Sequence, residues 1–296
     1  MDPRPTPAPY PDAMPAAFLG HGSPTNALET NRFTSAWRAF GASVPRPRAI
    51  LVVSAHWYVN VTAVTAMPRP RTIHDFYGFP AELFAVQYPA PGSPELAAEV
   101  AELLKPVHVG LDHDAWGIDH GTWSVLVHMF PAADVPVVQL SVHALRDFDD
   151  HLELGARLAP LRDRGVLVVG SGNVVHNLRQ IDWAHPDSGF DWARRFDEAA
   201  RAVLTGSPSG AAGLRSHPDY ARSAPTPDHF IPLLYIAGLA KAAKRPLEVL
   251  VDGYAYGSLS MAAYTLDAKA AAWRTGAGPP GGVPDPSIIP AEDTNI

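Results

Sequence analysis

Three short apolar runs along the chain each lead to a histidine. Residues 16–19 close in Gly20-His21-Gly22-Ser23-Pro24, and residues 49–55 run into His56. Residues 166–169 pass through the small-residue turn Gly170-Ser171-Gly172-Asn173 and deliver His176. Runs that are apolar throughout, rather than alternating, mark strands buried on both faces of a parallel sheet. Residues 135–140 read the same way, with shorter strands expected at 62–66 and near 107–111. Apolar residues at helical spacing and terminal signals predict helices over 26–40, 94–104, 148–162 and 191–204, and an apolar helix ending near 129. A further helix is expected over 226–243, with Thr226 as N-cap, Pro227 first in the helix and Asp228 at the positive end of the dipole. Residues 247–251 and 256–261 read as closing strands. Strands alternating with helices predict an α/β fold: a single domain with a central, mainly parallel (mixed) sheet flanked by helices.

Proline and glycine set the expected boundaries. A disordered Pro-rich tail is predicted over 1–13, one domain over 14–268 and a flexible Gly/Pro-rich tail over 269–296. Within the domain, residues 67–92 form a long loop rich in aromatics, around His74, Phe76, Tyr77 and Phe79. Loops of that length are usually functional or mobile. This one reads either as a cover over a bound ring or as a satellite core.

Composition narrows the classes. The 296 residues suffice for a large core, and a net charge of -7 without a basic patch argues against nucleic acid as a partner. Cysteine is absent, which excludes disulfides, thiolate metal sites and a Cys nucleophile, and fits a reducing compartment. The N-terminal stretch lacks the apolar segment of a secretory signal, and no apolar run approaches the roughly 20 residues of a membrane span. The expectation is a cytoplasmic protein without a membrane partner. The sequence leaves oligomeric state open.

Thirteen histidines are unusual, and four of them need a common explanation: His21, His56, His176 and His229. Imidazole suits zinc and iron, and a metal site draws ligands from several elements. His229 falls in the first turn of its predicted helix, where the dipole disfavours imidazolium and keeps a ring competent to ligate. Singly, a histidine after a strand is more often structural; the argument rests on the group. Other chemistries fit less well. Gly170-Ser171-Gly172 lacks the first glycine of a nucleophile elbow and the third of a dinucleotide fingerprint, and no Walker lysine follows either glycine turn. His108, His113, His128, His143, His151, His185 and His217 read as surface or packing residues.

These motifs carry a resemblance. Phe18-Leu19-Gly20-His21-Gly22-Ser23-Pro24, Ser54-Ala55-His56-Trp57, Trp116-Gly117-Ile118-Asp119-His120-Gly121, Gly170-Ser171-Gly172-Asn173-Val174-Val175-His176-Asn177 and Pro225-Thr226-Pro227-Asp228-His229 resemble the class III (LigB-type) extradiol ring-cleavage dioxygenases, in their bacterial and plant 4,5-DOPA branch. The resemblance spans about residues 15–261. It implies a non-haem Fe(II) that takes a catechol through both oxygens and then O2, opening the ring beside the diol to a muconic semialdehyde. Mapped onto this chain, it makes His21 and His56 metal ligands. His176 falls at the acid/base histidine, and His120 at a residue that hydrogen-bonds substrate or oxygen. His229 stands where many relatives place a glutamate ligand.

That last departure matters. O2-activating Fe(II) usually sits on two histidines and one carboxylate. Here the third position is histidine, and with His176 four imidazoles could surround one ion, a set that Zn(II) would accept without any redox chemistry. Fe(II) for turnover, with Zn(II) able to occupy the same site, is therefore the expected cofactor pattern. His176 is left as either a fourth ligand or a base, and His74, Tyr77 and Asn177 as candidate substrate contacts. The alternatives to a dioxygenase are a zinc-dependent hydrolase on the same scaffold and a non-enzymatic metal-binding protein.

Overall fold

A computed structural model describes residues 12–268. Apart from residues 12 and 13, the two predicted tails lie outside the described residues. The strands are β1 (Ala16–Gly20), β2 (Ala49–Val59), β3 (Ala63–Thr65), β4 (Gly110–Asp112), β5 (Val137–His143), β6 (Val166–Gly172), β7 (Glu248–Val251), β8 (Tyr254–Ala255), β9 (Leu259–Ser260) and β10 (Ala263–Leu266). Eight of them form one sheet in the order β4-β3-β5-β2-β6-β1-β10-β7, and β8 and β9 make a small hairpin. The central strands β5, β2, β6 and β1 are parallel. Antiparallel pairs join β3 to β5, β1 to β10 and β10 to β7, so the sheet is mixed, as expected.

The helices are α1 (Arg32–Ser43), α2 (Ala81–Phe84), α3 (Pro94–Leu103), α4 (His120–Met129), α5 (Phe148–Arg157), α6 (Pro160–Asp163), α7 (Asp191–Gly206), α8 (Tyr220–Ser223) and α9 (Ile231–Ala243). Side chains alternate across the strands, and the core divides accordingly. Phe18, Leu51, Val53, Val168 and Leu140 face α3, α5, α7 and α9. Ala17, Leu19, Ile50, Val52, Leu167 and Val169 face α1, α2 and α4. Both faces are covered, which is why the central strands are apolar throughout. Among the described residues no helix is long and apolar enough to cross a membrane.

Some expected boundaries move. The helix predicted over 26–40 is a short 3-10 turn, Pro24–Leu28, followed by α1. Asn31 caps α1 in a box with Thr34, whereas Asn26 spends its amide on the His21 carbonyl, 3.0 Å away. The last helix begins at Ile231 rather than at 227, so His229 lies in the preceding turn. The Pro227 carbonyl there accepts from both Phe230 and Ile231, the N-cap is Phe230 rather than Thr226, and Asp228 turns to His229. Residues 256–261 are not one strand. Tyr256 and Gly257, at φ 51 and 76, make the turn between β8 and β9, and the antiparallel partner of β1 is β10, which leaves β7 at the edge.

Candidate metal centre and active site

The three strands that lead to histidines are neighbours, with β6 between β2 and β1. Being parallel, they end at one edge of the sheet, where open α/β folds bind ligands. Register aligns them closely: Ser171 lies opposite both Leu19 and Ser54. His21 follows β1 directly and donates its backbone N–H to the Gly172 carbonyl at 3.2 Å. His56 is still inside β2, where pairing with β5 jumps from Val53–Leu140 to Tyr58–Val142. Such a bulge re-aims side chains. His176 sits beyond β6, its N–H given to the Ser223 carbonyl at 2.7 Å, and the carbonyl of His229 holds the Asn173 N–H at 2.9 Å. His120 opens α4, capped by Asp119.

The five rings form one buried cluster. Ring centroids lie 5.1 Å apart for His21 and His56, 5.3 Å for His21 and His229, 5.0 Å for His56 and His229, and 3.8 Å for His56 and His120. His176 stacks on His229 at 3.5 Å with the planes within 4°. One ring nitrogen each of His21, His56 and His120 lies within 4.8 Å of the others. Burial, then the neighbouring His56, His229, His120 and His176, depresses the His21 pKa well below the ordinary range. Burial and His120 do the same to His56 against the pull of Asp75. Both rings are therefore neutral, the form that binds metal.

Hydrogen bonding fixes the tautomers. Ser171 Oγ donates to the Gly121 carbonyl, so its contact of 2.9 Å with His21 Nδ1 is one in which the imidazole donates. His229 Nδ1 donates to Asp228 Oδ2 at 2.5 Å. Burial works to raise the Asp228 carboxyl, but His229 and His176 outweigh it and keep it ionised. His56 Nδ1 faces Asp75 Oδ2 at 3.4 Å. Hydrogen bonds place the proton on Nδ1 in His21 and His229; with that of His56 likewise on Nδ1, toward Asp75, all three Nε2 lone pairs are left over. Those of His21 and His56 stand 3.2 Å apart, and His229 Nε2 is buried without a partner. Lone pairs facing each other across that gap repel unless a cation lies between them. Tetrahedral bonds of about 2.0–2.1 Å put ligand nitrogens roughly 3.3 Å apart, so the donor set fits a metal ion.

Several contributors were not expected from the sequence. Ser171, set aside because it lacks an elbow, orients His21. Asp75, within the aromatic loop, also meets His120 Nδ1 at 2.9 Å and accepts its backbone N–H at 3.0 Å. Asp119 is wholly buried, and burial together with the Asp75 charge pushes its carboxyl up to about 6. It accepts from Ser54 Oγ (2.8 Å), Gln139 Nε2 (2.7 Å) and the Thr122 N–H (3.0 Å), tying β2, β5 and α4 together. No residue spacing foretells these contacts; only the acids beside histidines in His74-Asp75 and Asp228-His229 hint at them.

The candidate substrate contacts are placed less centrally. His74 Nε2 donates to the Val86 carbonyl at 2.8 Å and packs against Phe76, whose other edge meets His120 at 5.4 Å. Tyr77 is 60% exposed. Asn177 Nδ2 donates to the Arg222 carbonyl at 2.7 Å. Of the histidines read as structural, His128 and His151 are buried, bonded to Asn26 and Tyr235, and the other five stand in none of the contacts of the cluster.

Residues 16–266 match the catalytic LigB subunit of aromatic ring-opening dioxygenase. The chain belongs to this family. It is 50% identical over 252 residues to the 4,5-DOPA dioxygenase extradiol of Escherichia coli K12, a match covering 84% of this chain and 93% of that protein. The Beta vulgaris protein of the same name is 37% identical, covering 83% and 94%. The crystal structure of an uncharacterized Escherichia coli K12 protein superposes with a TM-score of 0.76 at 45% identity, covering 86% of this chain and 99% of that one. As a LigB member the chain is a metal-dependent, ring-opening extradiol dioxygenase acting on a small molecule and O2. The zinc-hydrolase alternative is not favoured.

Proposed function

We propose that this chain opens the ring of a 4,5-DOPA-type catechol, with Fe(II) held by His21, His56 and His229. The observation that carries the ligand set is the common arrangement of those rings: each has Nδ1 beside Ser171, Asp75 or Asp228, their centroids lie 5.0–5.3 Å apart, and His229 Nε2 is buried without a partner. The names of the relatives support the catechol amino acid as substrate class. When bound, Fe(II) supplies the Lewis acidity and electron transfer that activation of O2 requires. Zn(II) is accepted by the same imidazoles and has no redox chemistry, so it would bind without turnover.

His176 is read as the acid/base group rather than a fourth ligand. A ligating imidazole directs its lone pair in the ring plane, at about 2.1 Å from the ion. His176 and His229 are stacked, with centroids 3.5 Å apart and planes within 4°, so their in-plane lone pairs run side by side and do not converge; His21, His56 and His229 would hold the metal. His176 instead takes a proton from a catechol hydroxyl and returns one to the opened product. Both ring nitrogens of His120 are buried without an aligned hydrogen-bond partner, and Nε2, away from Asp75, is available to bond the substrate or O2. Phe76 covers His120 from the loop side and excludes water, with Tyr77 exposed beside it. His74 and Asn177, committed to backbone carbonyls, hold the walls of the site.

The test is O2 uptake with L-DOPA and simple catechols, using protein stripped of metal and reloaded anaerobically with Fe(II) or Zn(II). Uptake with iron alone, with a yellow product, is expected. Absence of uptake at full iron occupancy would overturn the reading. His21→Ala should lose bound metal and His176→Ala retain it; equal loss would restore the four-ligand alternative.

A further inference from the structure

We propose that Asp75 is a positioning residue of the reaction centre: one carboxylate that sets the orientation and the proton-bearing nitrogen of His56 and His120 together, and registers the aromatic loop on the metal centre. Oδ2 lies 3.4 Å from His56 Nδ1 and Oδ1 lies 2.9 Å from His120 Nδ1, both at ion-pair distance and neither aligned as a hydrogen bond. Oδ1 also accepts the His120 backbone N–H at 3.0 Å, which fixes the carboxylate relative to the first turn of α4. A histidine that ligates through Nε2 must carry its proton on Nδ1, and a carboxylate there fixes the tautomer and raises the basicity of the ligand. One side chain does this for a ligand on β2 and for a substrate-facing ring on α4.

Among the described residues neither Asp119 nor Asp228, the other acids beside the cluster, duplicates the role. Both Asp119 oxygens are spent on Ser54, Gln139, Trp116 and Thr122, and Asp228 is bonded to His229. The residue after Asp75 is Phe76, whose ring lies edge-on to His120 and packs on Phe79 and Phe84. The loop that covers the site is thus held to two of its histidines by the side chain next to its central aromatic. The part of this inference that concerns turnover rests on the dioxygenase reading; the part that concerns His56 rests on metal binding alone.

Asp75→Asn keeps the shape but offers one acceptor in place of two. The comparison is made on the full chain by chelator-competition affinity for Zn(II), side-chain ¹⁵N NMR of the histidines, thermal unfolding, and kcat and KM for O2 uptake with Fe(II) and L-DOPA. Expected in Asp75→Asn are metal affinity weakened about 10–100-fold, Nε2–H tautomers of His56 and His120 appearing in the metal-free protein, and kcat falling at least tenfold further than KM changes. Asp75→Glu, which restores a carboxylate, should recover at least tenfold of the lost kcat, and it carries the test alone if Asp75→Asn does not fold. Unchanged tautomers and metal affinity in Asp75→Asn would overturn the proposal, as would a folded Asp75→Glu no better than Asp75→Asn. If the unaltered protein with iron consumes no O2, the dioxygenase reading fails, while affinity and tautomers still decide the role of Asp75 at His56.

Discussion

Gly121→Ala perturbs the centre without removing any polar group. A Cβ at this position would stand 2.6 Å from His56 Cδ2 and 2.8 Å from Ser54 Oγ. Ordinary carbon contacts lie at roughly 3.5–4.0 Å, so the imidazole must retreat by about 1 Å. It cannot do so by swinging a flexible end, because the clashing atom belongs to the ring proposed as a metal ligand. Reactive geometry tolerates displacements of only ~0.5 Å, and a misplacement of about 1 Å costs on the order of 100-fold in rate, or ~2.7 kcal/mol. Stability should respond differently. Overpacking costs about 1–3 kcal/mol, and replacing glycine by alanine inside a helix returns about 1 kcal/mol, leaving a net loss of roughly 0–2 kcal/mol. The expected signature is a kcat/KM for O2 uptake lowered about 100-fold and weakened Zn(II) affinity by chelator competition, with a melting temperature only a few degrees lower. A Gly121→Ala protein with unaltered metal affinity and turnover would show that His56 is not held against α4 and would refute the reasoning.

Three further outcomes follow from other parts of the structure. Gly172→Ala places a Cβ 2.2 Å from the His229 carbonyl and 3.3 Å from Pro232; it should displace the turn before α9, costing about 1–3 kcal/mol and most of the bound metal, and full metal content by elemental analysis would count against it. Burial pushes the Asp197 carboxyl from 3.8 up to about 6, although Ser260 and Tyr254 donate to it. The folded chain then keeps a proton that the unfolded chain releases, so stability from this group falls as pH rises from about 4 to 6 and is flat above. Relative to Asp197→Asn, the unaltered protein should lose on the order of 3 kcal/mol across that window in urea unfolding, and a difference that does not vary with pH would contradict the assignment. Removing metal held at a hundred times its dissociation constant should cost ~2.7 kcal/mol, lowering the melting temperature by roughly 5–10 °C; a melt unchanged by chelation would argue that no ion binds the cluster.

The apolar runs at 16–19, 49–55 and 166–169 pointed on their own to buried strands, because they are shorter than a helix needs and are rich in β-branched residues or bounded by glycine. The histidines after them, and the motifs around them, carried the family and the expected ligands. What sequence spacing could not determine was which strands are neighbours. The order β2-β6-β1 brings His21, His56 and His176 to one edge, and it is a property of the whole sheet. The bulge that turns His56 inward needs β5 as a partner before it exists. Helix starts were misplaced at 26 and 227 because local signals compete with tertiary contacts: the Asn26 amide binds the His21 carbonyl, and Asp228, read at the positive end of the dipole, binds the His229 ring in a turn that precedes the helix. The stacking of His176 on His229, and the partners Ser171, Asp75 and Asp119, join residues far apart in the chain. Local pattern encodes burial and backbone state, whereas the tautomer and aim of each imidazole depend on atoms that only tertiary packing brings within 3–4 Å.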